Sequence, residues 1–298
     1  MCYKFPVSFC IVLLFCVSCG KNKKTTQPET EIVEQAFQPS LELVWQTDSL
    51  LTTCESVLYD KVSKTIYVSN INQDPWEKDG NGFISTINTE GNITELKWVE
   101  GMSAPKGMGI SNGKLYVNDI DDLVEIDIES RKILNKYTVE GNPRLNDITV
   151  SPEGAVYSSG TNSNTIYEFV GDALHVVAKD SLGGLNGLLW QKEALYYLDF
   201  ATNNFGAFDM ETKAFKTLTE EIGQGDGAVR LENGDFITSS WGGQLFYINS
   251  KDWTKTKLLD TQDQSINAAD IDYIPETQML LVPTFFHNRV MCYKVNLQ

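Results

Sequence analysis

The chain has 298 residues, 42% hydrophobic and 11% aromatic, enough apolar material for the layers of one large closed unit. Its 24 basic residues stand against 40 acidic ones, a formal net charge of −16. That balance argues against nucleic acid or an anionic membrane surface as a partner, since both require a basic face, and makes a cation the more natural guest.

Met1 to Lys4 carry one positive charge, residues 9–17 are almost entirely apolar, and Val17-Ser18-Cys19-Gly20 closes the segment with small residues around a cysteine. The run is too short to span a bilayer, which takes about 20 apolar residues. It resembles a bacterial lipoprotein signal, although Cys16 stands where leucine is usual. This predicts a signal over 1–19, cleavage before Cys19, lipid on the Cys19 thiol, and a place in the bacterial cell envelope with the lipid as the sole membrane contact. An ordinary secretory signal is the alternative. Residues 20–40, rich in Lys, Thr, Gln, Pro and Glu, read as a flexible tether. Beyond Cys19 only Cys54 and Cys292 remain; they fall in different repeats, are expected as two buried thiols, and no zinc-type spacing is present.

From residue 41 onward, strand-like segments recur with almost no helical periodicity. A polar residue, a small or acidic residue and an apolar run return at Glu55, Lys106, Asn146, Asn186, Asp226 and, with alanine first, Ala269, at intervals of 51, 40, 40, 40 and 43 residues. A period near 40 with four strands per repeat is the pattern of β-propeller blades, which bury their faces only by stacking on one another. The reading is therefore all-β: a six-bladed propeller over 41–298. The strand Leu41-Glu42-Leu43-Val44-Trp45 is an orphan unless it completes the last blade, where only three strands are found. Such closure would remove the exposed sheet edges.

The six repeat starts should form a ring at the channel mouth. The loops at 70–82, 118–122, 158–164, 199–205, 239–244 and 284–289 would overhang that ring, making Trp76, Asp199, Trp241 and His287 candidates for its wall. His175, beside a hairpin at the other end, is not one. Glu55, Asn146, Asn186 and Asp226 bring two carboxylates and two amide oxygens to one axis, a set that is costly to bury without a cation and suits a hard divalent ion such as calcium. Asn and Asp at strand starts also cap turns, so each alone means little; their shared phase carries the inference.

Cys54-Glu55-Ser56, Arg144-Leu145-Asn146-Asp147, Leu185-Asn186-Gly187-Leu188 with Tyr196-Tyr197-Leu198-Asp199, and Asp226-Gly227 resemble, as an ordered set, the gluconolactonase, regucalcin and luciferin-regenerating-enzyme superfamily. The resemblance implies a six-bladed propeller with one divalent metal, calcium ahead of zinc, held at Glu55, Asn186 and Asp226. It places Asn146 on metal, its water or substrate, and Arg144 on substrate oxygens. A related propeller, diisopropyl fluorophosphatase, has a similar Glu, Asn, Asn, Asp set, so ester and phosphoester hydrolysis both stay open.

Two departures stand out. The family's Glu-Gly-Pro followed by Trp is Glu55-Ser56-Val57-Leu58-Tyr59 here, and Lys106 enters the ring, where its ammonium could replace the metal, lie above it beside Arg144, or bend to solvent. The expected activity is metal-dependent hydrolysis of a lactone or other small ester, with Arg144 and Lys106 orienting substrate and Asp226 or Asp199 as base. The alternative is a non-catalytic, lipid-tethered propeller that binds a small ligand, glycan or protein on Trp76, Trp241, Phe285 and Phe286.

Overall fold

A computed structural model describes Met1 and residues 38–179, 183–192 and 194–297. The signal, Cys19 and the tether up to residue 37 lie outside the described residues. Among the described residues, twenty-four strands form six four-stranded antiparallel sheets. Five blades use consecutive strands, over 54–102, 105–138, 145–179, 185–219 and 225–260. The sixth takes Asp272–Ile274, Met279–Pro283 and Val290–Leu297, and its outer strand is Pro39–Gln46, paired antiparallel with Val290–Leu297. The closing strand thus begins two residues before the expected Leu41. A single 3-10 turn at Gln262–Gln264 is the only helical element among the described residues.

Burial falls off outward along each blade, from an inner strand such as Leu145–Val150, buried but for its last residue, to an outer strand such as Lys132–Thr138, mostly exposed. Apolar layers join neighbouring blades; Ile237 and Leu245 of the fifth pack with Tyr273 and Leu280 of the sixth. Cys54 and Cys292 sit together in the layer between blades six and one, both free, and burial pushes both thiols up to about 12. They are inert packing groups, as the sequence suggested.

One irregularity positions everything at the axis. In the first blade Cys54 faces Asn70 and Val57 faces Val68, so Glu55 and Ser56 together oppose a single residue, Ser69. The same two-against-one bulge recurs at Lys106-Gly107, Asn146-Asp147, Asn186-Gly187 and Asp226-Gly227. A bulge leaves a backbone N–H without a ladder partner. In three blades a serine of the second strand accepts it: Ser69 Oγ from Ser56 at 3.0 Å, Ser159 Oγ from Asp147 at 2.9 Å and Ser239 Oγ from Gly227 at 2.8 Å.

The second bulge residue faces the next blade at very short range. A Cβ on Gly187 would lie 1.9 Å from the Asp226 carbonyl oxygen, and one on Gly107 or Gly227 would strike backbone atoms of Asp147 or Ile271 at 2.5 and 2.4 Å. Glycine is what lets adjacent inner strands close around the axis. Gly187→Ala should therefore cost about 3 kcal/mol or more, because the obstructing atom is backbone. Gly184→Ala, whose nearest neighbour would be 3.6 Å away, should stay within about 0.5 kcal/mol. Urea unfolding of both variants measures the difference.

Candidate functional site

The first residue of each bulge points to the channel mouth. Glu55, Lys106, Asn146, Asn186 and Asp226 line one cavity of about 390 Å³. The sixth ring position does not: Ala269 is fully buried and packs with Ile71, Ala104, Ile120 and Phe285, its side chain too short to reach the cavity. A second cavity of about 380 Å³ is lined by later residues of the same inner strands, among them Val57, Met108, Ile148 and Leu188, and so lies at their far end.

All five ring residues are less than one-tenth exposed. Asn186 Nδ2 donates to Asp226 Oδ1 at 3.0 Å and to the Gly225 carbonyl at 3.3 Å, while Asn186 Oδ1 has no partner. Glu55 Oε2 and Thr161 Oγ1 are also buried without a partner and line the same cavity. Burial pushes the Asp226 carboxyl up to about 7, against the Asn186 hydrogen bond and the Lys106 charge. Burial likewise raises Glu55 well above the usual carboxylate range, although Lys106 opposes it. Buried acceptors without donors are costly, and what relieves them is a cation or a donor-rich ligand. No cluster of three or more His, Cys, Asp or Glu gathers in ligating geometry among the described residues, so the amides of Asn146 and Asn186 would have to complete a metal site. Two carboxylates and two amide oxygens fit a hard divalent ion.

Lys106 does not bend to solvent. It is 2% exposed, and its Nζ lies over the Trp76 ring at 4.3 Å from the centroid. No carboxylate lies within ion-pair distance of it among the described residues, so it does not bridge Glu55 and Asp226; burial lowers its pKa. The Arg144 guanidinium stands over the same ring at 4.7 Å. Trp241 lines the cavity as expected, edge-on to Phe285 and Phe286.

Two expected wall residues are elsewhere. Asp199 is fully buried away from the cavity and caps its loop, accepting from the N–H groups of Gly184, Ala201 and Thr202 at 3.2, 3.0 and 2.7 Å. A carboxylate so engaged is a turn cap, not a base. Phe200, its neighbour, takes the lining position. His287 is half-buried in the 284–289 loop but does not line the cavity; Phe285 and Phe286 do. Thr161, within the 158–164 loop, and Phe200, within the 199–205 loop, were not singled out by sequence.

A pair of carboxyls beneath the ring was also missed. Asp147 and Asp270 occupy second-residue positions of the repeat, where the other blades have Ser or Gly. They line the far cavity and hydrogen-bond to each other. Burial raises both, Asp147 to about 8, and the Asp147 charge raises Asp270 further. Asp147 accepts from Ile148 N–H at 2.6 Å and from Leu188 N–H of the next blade at 2.5 Å, and Ser56 Oγ donates to Asp270. The repeat's alternation of small with acidic residues was the available signal, but nothing local says that two of the acids meet.

No protein-family model and no curated relative matches the sequence. Solved structures share its fold. A gluconolactonase from Xanthomonas campestris matches with a TM-score of 0.66 at 14% identity, over 86% of this chain and 89% of that one. A luciferin-regenerating enzyme matches with 0.61 at 17%, over 87% and 95%. Virginiamycin B lyase from Staphylococcus aureus matches with 0.63 at 13%, over 86% and 99%. The chain therefore has the six-bladed propeller architecture of the gluconolactonase-like enzymes, and the sequence resemblance is matched at the level of fold.

Asp147→Ala should lower stability by on the order of 3 kcal/mol, since it strips acceptors from two buried N–H groups and a partner from Asp270. Ser151→Ala, whose hydroxyl serves only a surface-side turn, should cost about 1 kcal/mol. Denaturant midpoints of the two variants provide the comparison.

Proposed function

We propose that the ring cavity hydrolyses a lactone or other small ester, aided by one divalent cation, calcium ahead of zinc. The observation that carries this reading is the set of buried, unpartnered oxygens, Glu55 Oε2 and Asn186 Oδ1, beside Asp226 in one cavity. Glu55, Asn146, Asn186 and Asp226 would hold the cation. When bound, it supplies Lewis-acid polarisation of an ester carbonyl.

The chain's own residues do the rest. Asn186 fixes the rotamer of Asp226 through the 3.0 Å hydrogen bond, leaving the other carboxylate oxygen to take a proton from water. Lys106 and Arg144, both over Trp76, offer N–H donors to the charge that develops on the carbonyl oxygen. Trp241, Phe285 and Phe286 exclude water from one wall. The absence of an ion pair between Lys106 and the two carboxylates supports a lysine that lies beside the cation and does not replace it. The N-terminal sequence supports a lipid-anchored protein of the bacterial envelope.

The full chain should hydrolyse members of a lactone and aryl-ester panel, lose turnover in chelator and regain it with calcium. Asp226→Asn should reduce turnover about 100-fold or more. Glu55→Gln should abolish the rise in melting temperature with free calcium that a site specific to the folded state produces. Calcium-independent turnover, or none across lactones, aryl esters and phosphotriesters, sinks the reading; ligand binding without turnover would favour a non-catalytic receptor.

A further inference from the structure

Lys106 and Arg144 are cations held without a direct ion pair, although the charges of Glu55, Asp119 and Asp226 act on Lys106, in a protein that has 40 acidic residues for 24 basic ones. No ion pair joins either to a carboxylate among the described residues, and each has the Trp76 face as its direct contact. A buried ammonium left this way is costly, and an aromatic face offsets only part of that cost.

The placement is also built into the backbone. Arg144 has φ of 50°, in the left-handed region that disfavours a side chain, and is held there by neighbours: its carbonyl accepts from Thr161 N–H at 2.9 Å, and Leu145 N–H donates to the Ile120 carbonyl at 2.6 Å. Backbone strain of this kind persists where surrounding structure enforces it, and functional sites are where it collects. Trp76 is set in turn by its own N–H donating to Asp74 Oδ1 at 2.8 Å. Both cations lie over one ring, at 4.3 and 4.7 Å from its centroid, all three residues line the cavity, and the Arg144 charge acts on Lys106, so the two charges are near one another. Trp241 and Phe285 form an apolar wall, and Phe286 beside them remains 59% exposed, apolar area with nothing yet against it.

We propose that the ligand of this cavity carries an oxyanion, a carboxylate or a phosphate, seated between Lys106 and Arg144 on the Trp76 flank, with a flat or apolar body against Trp241 and Phe286. The inference rests on the ring cavity being the working site and narrows its substrates to anionic ones. Charge-assisted N–H to oxyanion hydrogen bonds are about twice as strong as neutral ones, and Arg144 can bind a carboxylate or phosphate through two parallel bonds.

Calorimetric titration of the full chain with benzoate, phenyl phosphate and neutral benzamide tests this without requiring turnover. Each titration is run in chelator and again with calcium, because a bound cation would itself attract an anion. At least one anionic probe should bind about tenfold or more tightly than benzamide in both conditions, and the better of the two names the oxyanion. Lys106→Met and, separately, Arg144→Gln should each bring the anion and benzamide within about threefold of one another. Trp241→Ala should weaken all three probes alike. Benzamide binding as tightly as both anions, a preference present only with calcium, or a preference surviving both charge variants overturns the proposal. Turnover of neutral lactones with no anion preference would sink this inference alone; anion preference without turnover would leave it standing and sink the hydrolase reading.

Discussion

Five of the six inner strands meet around one axis because each begins with a bulge whose second residue is small or, at Asp147, reaches into the adjoining blade. An ordinary ladder would alternate side chains between the two faces of a blade; the extra residue turns one side chain up to the channel mouth and presents the next to the adjoining blade. Where that next residue is Gly107, Gly187 or Gly227, the neighbouring backbone occupies the space a Cβ would need. Where it is Asp147, the carboxyl reaches across to Leu188 N–H and becomes part of the seam. The bulge that closes the propeller is thus the same feature that builds the ring of polar side chains above it.

That convergence has an electrostatic consequence. Glu55, Asp147, Asp226 and Asp270 are all buried, and burial raises the pKa of each. The lower pair is satisfied internally, by Ser56 and by the Ile148 and Leu188 N–H groups. The upper pair is not, since Glu55 Oε2 has no partner and the nearest cation, Lys106, is committed to the Trp76 face. Two carboxyl pairs a short distance apart therefore differ in kind: one is part of the framework and the other faces a cavity with unsatisfied acceptors, which is the condition for binding chemistry.

The ring was legible because a propeller repeats its geometry, so a residue's phase in the repeat reports which way it points. Glu55, Lys106, Asn146, Asn186 and Asp226 were all found this way. Phase failed at Ala269, where the residue has no reach, and the loop residues lie outside its scope altogether. Asp199 and His287 belong to loops rightly placed over the ring, but which side chain of a loop turns inward depends on its turns. Asp199 is drawn into capping by three N–H groups, and Phe200 is left to line the cavity.

The all-β class, the six blades, the N-terminal strand that closes the last of them and the identity of five ring residues were determined by the sequence alone, because periodicity and hydrophobic alternation are local properties that repetition amplifies. Only the tertiary structure decided that Asp147 meets Asp270, that Lys106 and Arg144 share Trp76, and that Glu55 and Asn186 keep unpartnered oxygens. These are contacts between blades far apart in the chain, set by close approach of backbones at the axis, and no spacing within one repeat records them.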